Sequence, residues 1–410
     1  MAKYKTLDDF ELKNKVVLTR VDFNSEIDPQ TKNVTSDVRI KAHAQATLKE
    51  LAEKGAKTVV LAHQGRKGDP DYTPLKMHAE ILQKILNCPV KYVDDLYGEK
   101  AKEAIKNLQG GEILVLENVR SFDGETKNGT PEQHSQTPLV QNLAPLADLF
   151  VNDAFAAAHR GHVSMVGFTA VLPSAAGRIM ERELSSLSKA LEKPEKPCVY
   201  VMGGAKADDS LEISKYVLGN GIADYVLVGG VTSQLFMAAK GIDLGKGNMA
   251  FLAKKELMGL VPGIQELIKL YGDKIQTPVD AALEVDGKRQ EIPITKMPTE
   301  YSIFDIGTQT AENYAKLIAQ AKSIVVSGPM GVYENKEFNY GTKTVFQAIA
   351  DSKAFSLAGG GNTIAAIEEY GLSQKIGYIS TAGGALIEFL MGKKLPGVVA
   401  LENATSTKKA

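Results

Sequence analysis

Short runs of β-branched and other apolar residues recur along the chain, separated by longer stretches with helical periodicity. Val16–Val21, Thr58–Ala62, Ile113–Leu116 and Leu149–Val151 form one set. Val199–Met202, Tyr225–Val228, Ile303–Ile306, Ile324–Val326 and Ala354–Ala358 form a second. Most are apolar throughout instead of alternating, as strands covered on both faces of a parallel sheet should be. Helical patterns such as Ile40–Lys54 and Thr363–Tyr370 lie between them. This strand–helix alternation predicts α/β architecture, with doubly wound parallel-sheet domains. The join falls near Pro173. From Ala175 onward, Met180, Leu184, Leu187 and Leu191 recur at spacings of four, three and four, a helical stripe that Glu192–Pro197 ends. The expected division is residues 1–174, a joining helix over 175–190, and a second domain over 191–392. The tail Thr405–Ala410 is expected to fray.

Composition narrows the class. A chain of 410 residues with 44% hydrophobic residues can build two or three cores. A net charge of −1 provides no global field for nucleic acid or an anionic membrane. No apolar run approaches the roughly 20 residues that span a bilayer. The segment Met1–Lys15 is polar and lacks the apolar core of a signal peptide. Cys88 and Cys198 lie in no CxxC or Cys/His array, which argues against a disulfide framework or structural zinc. A reducing, cytoplasmic location is expected, with the chain a monomer or homodimer.

Arginine usage changes the picture most. Only eight of the 48 basic residues are arginine, so each is a candidate for bidentate recognition of carboxylate or phosphate. In open α/β sheets, ligands bind beyond the carboxyl ends of the strands. The first run ends in Thr19–Asn24, with Arg20, Asp22 and Asn24; the second in Ala62–Arg66, with His63 and Arg66. Leu116–Arg120 and Val151–Arg160 deliver Arg120 and Arg160, and Arg39 opens the first long helix. Five arginines thus converge on one rim. The structural alternative is a set of ion pairs and caps; the functional one is a pocket for a small polyanion such as a phosphorylated carboxylic acid. His63 could touch the ligand or sit satisfied in the core. His43, His78 and His134 read as surface or helix residues, and no histidine pair has defensible zinc spacing.

In the second half the strand ends are glycine-rich. They are Met202–Lys206, Val228–Val231, Asp305–Gly307, Ser327–Glu334, Gly359–Thr363 and Ser380–Gly384. Glycine lets backbone approach phosphate oxygens, and a following helix aims its N–H groups at them. No GxxxxGK[ST] occurs, and no GxGxxG opens a βαβ unit, so neither a P-loop nor a dinucleotide site is indicated. Tight strand–helix turns also need glycine, and Lys206 could be an ordinary surface lysine. Its place after Gly203-Gly204 suits a charge on a migrating phosphoryl group.

Taken together, Arg20–Asn24, His63–Arg66, Asn152–Phe155, Gly203–Lys206, Gly328–Glu334 and Gly359–Gly361 resemble the phosphoglycerate kinase family, from about Lys15 to Leu401 and in the family's order. Phe155–Arg160 and Asp208–Ser210 look most like its archaeal branch. The resemblance implies two Rossmann-like domains, with Leu395–Ala400 and the rest of 393–410 returning to the first. It implies that Arg20, Asp22, Asn24, Arg39, His63, Arg66, Arg120 and Arg160 hold 3-phosphoglycerate. It implies that Gly203, Gly204, Lys206, Gly229, Gly230, Pro329, Glu334, Gly359, Gly360, Gly361, Asn362 and Thr363 surround ATP or ADP with Mg²⁺, with Glu334 on the ribose. Three positions depart from the common pattern. Ser210 stands where many members have a second lysine, Val326-Ser327 where many have Trp-Asn, and Asn362 where many place an aspartate near the metal.

The implied reaction is 1,3-bisphosphoglycerate plus ADP giving 3-phosphoglycerate plus ATP, reversibly. In reverse the attacking group is a carboxylate, with a pKa far below 7, so no general base is needed. Catalysis then rests on positioning and electrostatic stabilisation. Arg39 and Lys206 are the catalytic candidates, and domain closure is expected to exclude water. Two other classes remain open on sequence: a kinase for a different phosphorylated acid, and a non-enzymatic nucleotide-binding protein.

Overall fold

A computed structural model describes residues 4–404; the expectation for Thr405–Ala410 lies outside them. The chain divides into two compact units, Met1–Leu184 with Lys394–Ala410, and Ser185–Lys393.

The first unit is built on a six-stranded sheet. Its strands are β1 Val16–Arg20, β2 Lys57–Leu61, β3 Val90–Tyr92, β4 Ile113–Val115, β5 Leu149–Asn152 and β6 Ser174–Ala176, in the order β3-β4-β2-β1-β5-β6, all parallel. Successive residues of β1 face opposite cores. Val17 packs with Ile40, Leu48 and Val60, while Leu18 packs with Val59, Phe150 and Phe168. Burial on both faces is why the run is apolar throughout. The chain leaves β1 toward β2 on one side and reaches β5 on the other, so the ends of β1 and β5 flank the crevice where such sheets bind ligands.

Two sequence expectations change here. The helix expected over Ile40–Lys54 starts at Val38, runs to His43, widens into a π turn over Ala44–Leu48 and finishes as Lys49–Glu53. The joining helix does not begin at Ala175. Ser174–Ala176 is β6, paired with Phe150–Asn152, and the helix is Arg178–Leu191. Small side chains let Ser174–Ala176 slot in as a buried edge, and the helix starts where Asp153 can cap it: Ile179 N and Met180 N donate to Asp153 Oδ1 at 2.8 and 3.3 Å. The helix Pro396–Ala404 belongs to this unit, its Gly397 N donating to the Ala158 carbonyl at 2.9 Å.

The second unit holds a parallel sheet in the order β15-β14-β13-β7-β8-β9. Its strands are β7 Cys198–Met202, β8 Tyr225–Val228, β9 Ile275–Gln276, β13 Ser323–Ser327, β14 Phe355–Gly359 and β15 Tyr378–Ser380. Ser327 pairs with both Met202 and Gly359, so the glycine-rich turns after three strands emerge level with one another. The run Ile303–Ile306 is not part of this sheet. It lies in β12 Ser302–Ile306, antiparallel to β10 Asp280–Val285, which also pairs with β11 Lys288–Pro293. The β10–β11 turn is Asp286-Gly287, with φ of 50° and 77°, a two-residue hairpin whose Asp-Gly signature was present in the sequence. No helix among the described residues is long and apolar enough to cross a membrane.

Candidate active site

Arg66, Arg120 and Arg160 line one cavity of about 480 Å³ in the first unit, together with Lys67, Phe122, Asp123, Thr126 and His162. Asp123 is its one lining carboxylate, and Lys67 pairs with it at 2.5 Å. Arg20, Asp22, Asn24, Arg39 and His63 are not on that lining, and Arg20 is buried, 1% exposed. Its Nε donates to Ser164 Oγ at 2.8 Å, one terminal nitrogen donates to the Val21 carbonyl, and the other is 3.1 Å from His63 Nδ1. Arg120 donates to the Gly65 carbonyl. Arg39 pairs with Asp22 at 2.6 Å, and Asn24 Oδ1 accepts from Gly65 N at 2.9 Å. Arg20 and Arg120 therefore serve both readings left open by the sequence: they knit strand ends together and also supply positive charge to the pocket.

The electrostatics follow from burial among like charges. Burial and the Arg20 guanidinium push His63 well below its ordinary pKa. Burial, with Arg160 and Arg20, takes His162 down to about 3. Both rings are uncharged at neutral pH. Burial alone would raise the Asp22 carboxyl; its net shift is downward, with the Arg39 guanidinium and a hydrogen bond from Asn24 N among the causes.

His43, His78 and His134 are buried, not surface residues. His43 Nε2 accepts from Asp22 N at 3.2 Å, which leaves its Nδ1–H to donate to Asp153 at 2.6 Å. His78 Nε2 faces Gln64 Oε1 at 3.1 Å, and His134 Nε2 faces the Gly161 carbonyl at 2.8 Å. Each ring sits on the inner face of its helix and finds a polar partner there, as buried polar groups must. Glu125 and Ser164 escaped the sequence reading. Glu125 is 1% exposed, and burial raises its pKa to about 6, against the pull of Arg20 and Ser164.

The second unit carries a cavity of about 340 Å³. Among the expected nucleotide residues, Gly204, Gly230, Pro329, Glu334 and Asn362 line it; Gly203, Lys206, Gly229, Gly359, Gly360, Gly361 and Thr363 do not. Gly203 and Gly229 have a packing reason instead. A Cβ on Gly203 would come 2.2 Å from the Pro329 carbonyl oxygen, and one on Gly229 would come 2.5 Å from Met330 Sδ. Thr363 is buried and its Oγ1 accepts from Gly328 N at 2.7 Å, tying two turns together. Lys206 is exposed just before the helix Ala207–Gly219. Ser210, in place of a second lysine, is buried and donates to the Lys206 carbonyl at 3.2 Å. Sequence reasoning also missed the apolar wall: Phe251 and Val332 are exposed large side chains lining this cavity.

The carboxylates at that cavity are mostly committed. Asp280 caps the helix Thr308–Gln320, accepting from Gln309 N and Thr310 N at 2.9 Å. Asp305 takes Arg289 and Gly341 N at 2.8 Å each. Glu334 and Asn362 remain as exposed oxygen donors on the lining. No cluster of three metal-ligating side chains occurs among the described residues.

The sequence matches the family model described as phosphoglycerate kinase over residues 7–393. The chain belongs to the phosphoglycerate kinase family. Among curated phosphoglycerate kinases, that of Methanothermus fervidus is 45% identical over 404 residues, spanning 98% of each chain. That of Pyrococcus furiosus is 45% identical over 400 residues, spanning 97% of each. The crystal structure of the Pyrococcus horikoshii OT3 enzyme matches with a TM-score of 0.86 at 42% identity, covering 98% of this chain and 99% of that one. The structure of the Coxiella burnetii enzyme gives 0.85 at 33% identity, with the same coverage. As a phosphoglycerate kinase, the chain transfers a phosphoryl group reversibly between 1,3-bisphosphoglycerate with ADP and 3-phosphoglycerate with ATP.

Proposed function

We propose that the first unit binds the acid through Arg20, Asp22, Asn24, Arg39, His63, Arg66, Arg120 and Arg160, and that the second binds the nucleotide. The observation that carries this division is the opposite chemistry of the two cavities. One is lined by three arginines and a lysine, with its single carboxylate paired. The other offers Phe251, Val332 and Met330 to a base and backbone turns to phosphates. Gly203, Gly229, Gly359 and Thr363 then act by shaping these turns, while Glu334 reaches the ribose.

No side chain need remove a proton. In the synthetic direction a phosphate oxygen of ADP attacks the acyl phosphorus and the 3-phosphoglycerate carboxylate leaves; in reverse that carboxylate attacks. His63, uncharged and facing Arg20, fits a hydrogen-bonding role in the wall. Charge gathers on the three equatorial oxygens of the migrating group, where Arg39 and Lys206 stabilise it. Asn362 Oδ1, exposed on the lining, would be the protein oxygen nearest to hand for a Mg²⁺ ion brought by the nucleotide, which would supply neutralisation of phosphate charge. That suits a cavity with few uncommitted carboxylates, since magnesium is usually held by one or two protein oxygens plus phosphates. Cys88 and Cys198 are free thiols, which fits a reducing, cytoplasmic setting.

Arg39→Ala and Lys206→Ala test the catalytic assignment. Each is expected to lower kcat by roughly 10²-fold or more, the scale of removing one electrostatic donor, with smaller effects on the binding of either ligand alone. A near-normal kcat in either variant contradicts that residue's role.

A further inference from the structure

We propose that Glu125 is a positioning residue for the acid substrate, acting through Ser164 to fix the guanidinium of Arg20. This rests on the reading that Arg20 binds the acid. Both carboxylate oxygens of Glu125 are committed to one residue: Oε2 accepts from Ser164 N at 2.9 Å and Oε1 from Ser164 Oγ at 2.6 Å. The serine's only hydroxyl proton is thereby spent on Glu125, and its oxygen is left as an acceptor for Arg20 Nε at 2.8 Å. The remaining contacts of Arg20 are the Val21 carbonyl and His63 Nδ1. Three of its five N–H groups are held by the protein, and the others are presented in one orientation.

The relay has a direction. With Glu125 ionised, Ser164 donates to the carboxylate and accepts from Arg20, so both the serine O–H and the Arg20 Nε–H have an acceptor. A protonated Glu125 would compete as a donor toward Ser164 Oγ, and the serine proton would be turned out with Arg20 donors already beside it. The arrangement therefore requires the carboxylate. Glu125 is also the group here that titrates near neutrality, at about 6. The groups facing it are Arg20 from β1, Arg120 beyond β4, and Ser164 and its neighbour His162, with Arg160 and His63 close to Arg20. Arginines keep their charge across this range, and both histidines are uncharged in it.

The test is the KM for 3-phosphoglycerate in wild type and Glu125→Gln across about pH 5 to 8, taken as a ratio so that titration of the substrate's own phosphate cancels. The ratio is expected to be roughly tenfold at the alkaline end, the scale of one lost charge-assisted hydrogen bond, and to fall toward one at the acid end, where wild type loses its carboxylate too. KM for MgATP should not move. A ratio independent of pH, as packing damage from the amide would give, overturns the proposal; so does a ratio of one throughout. Ser164→Ala keeps the charge and cuts the link, and decides the matter if Glu125→Gln does not fold: the KM for the acid should rise several-fold, and an unchanged value overturns the proposal. Arg20→Lys separates the two layers of argument. If it leaves acid affinity intact, the acid-pocket reading falls and the proposal with it; if it weakens acid binding while the ratio stays flat, the positioning role alone is refuted.

Discussion

Asn362 occupies the second position of the helix Gly361–Glu369, whose N-cap is Gly360 without a side-chain cap bond. A capping role for Asn362 is thereby removed, and its amide is exposed on the cavity. No hydrogen bond engages that amide among the described residues, so its oxygen can face a phosphate-bound ion. Asn362→Asp adds a negative charge, and should lower the Mg²⁺ concentration for half-maximal activity at fixed ATP. Superimposable magnesium titrations of the two proteins would take Asn362 out of the metal environment. At this scale the arginines were legible because the chain is poor in arginine and places four of them at strand ends and a fifth, Arg39, at the opening of a helix. Glu125 was not legible: a glutamate between Gly124 and Thr126 reads as a loop residue, and only the fold brings Ser164 and Arg20 to it. Thr363 reads as a ligand contact beside a glycine turn; the fold adds that its Oγ1 accepts from Gly328 N and ties two turns together, which leaves its O–H as a donor.

Asp153 joins two elements of the first unit. Its Oδ1 caps the helix Arg178–Leu191 and its Oδ2 accepts from His43 on the helix that opens near Arg39. Asp153→Ala should cost roughly 2–4 kcal/mol, combining a lost cap with a buried imidazole N–H left unpaired. Asp153→Asn, which keeps an oxygen for the cap, should cost less. Urea unfolding of this unit checks both, and a loss under about 0.5 kcal/mol for the alanine variant would contradict the dual role. The elements themselves were read well where apolar runs are continuous, since burial on both faces dictates them. They were misread where length or context misleads. Ser174–Ala176 is too short and too small-sided to signal a strand, and Ile303–Ile306 looks like a parallel strand because nothing in the run itself reveals the hairpin it pairs with.

For the whole molecule, the alternation of runs and helical patterns sufficed for two parallel sheets, and the position of motifs after strands sufficed to divide cationic from glycine-rich chemistry. What the order of residues could not supply is register. Ser327 level with Met202 and Gly359 is a property of the assembled sheet, and it is what brings glycine turns far apart in sequence to one level. All six histidines likewise fall in the first unit, where the arginines and burial keep His63 and His162 uncharged. The central claim is that acid recognition belongs to the first unit and nucleotide recognition to the second. Calorimetric titration of 3-phosphoglycerate and of MgADP into wild type and Arg66→Lys tests it most directly, because lysine keeps the charge and removes only the planar fork. The account predicts an acid Kd weakened by roughly tenfold and an unchanged MgADP Kd; weakened MgADP binding with unchanged acid binding would contradict it.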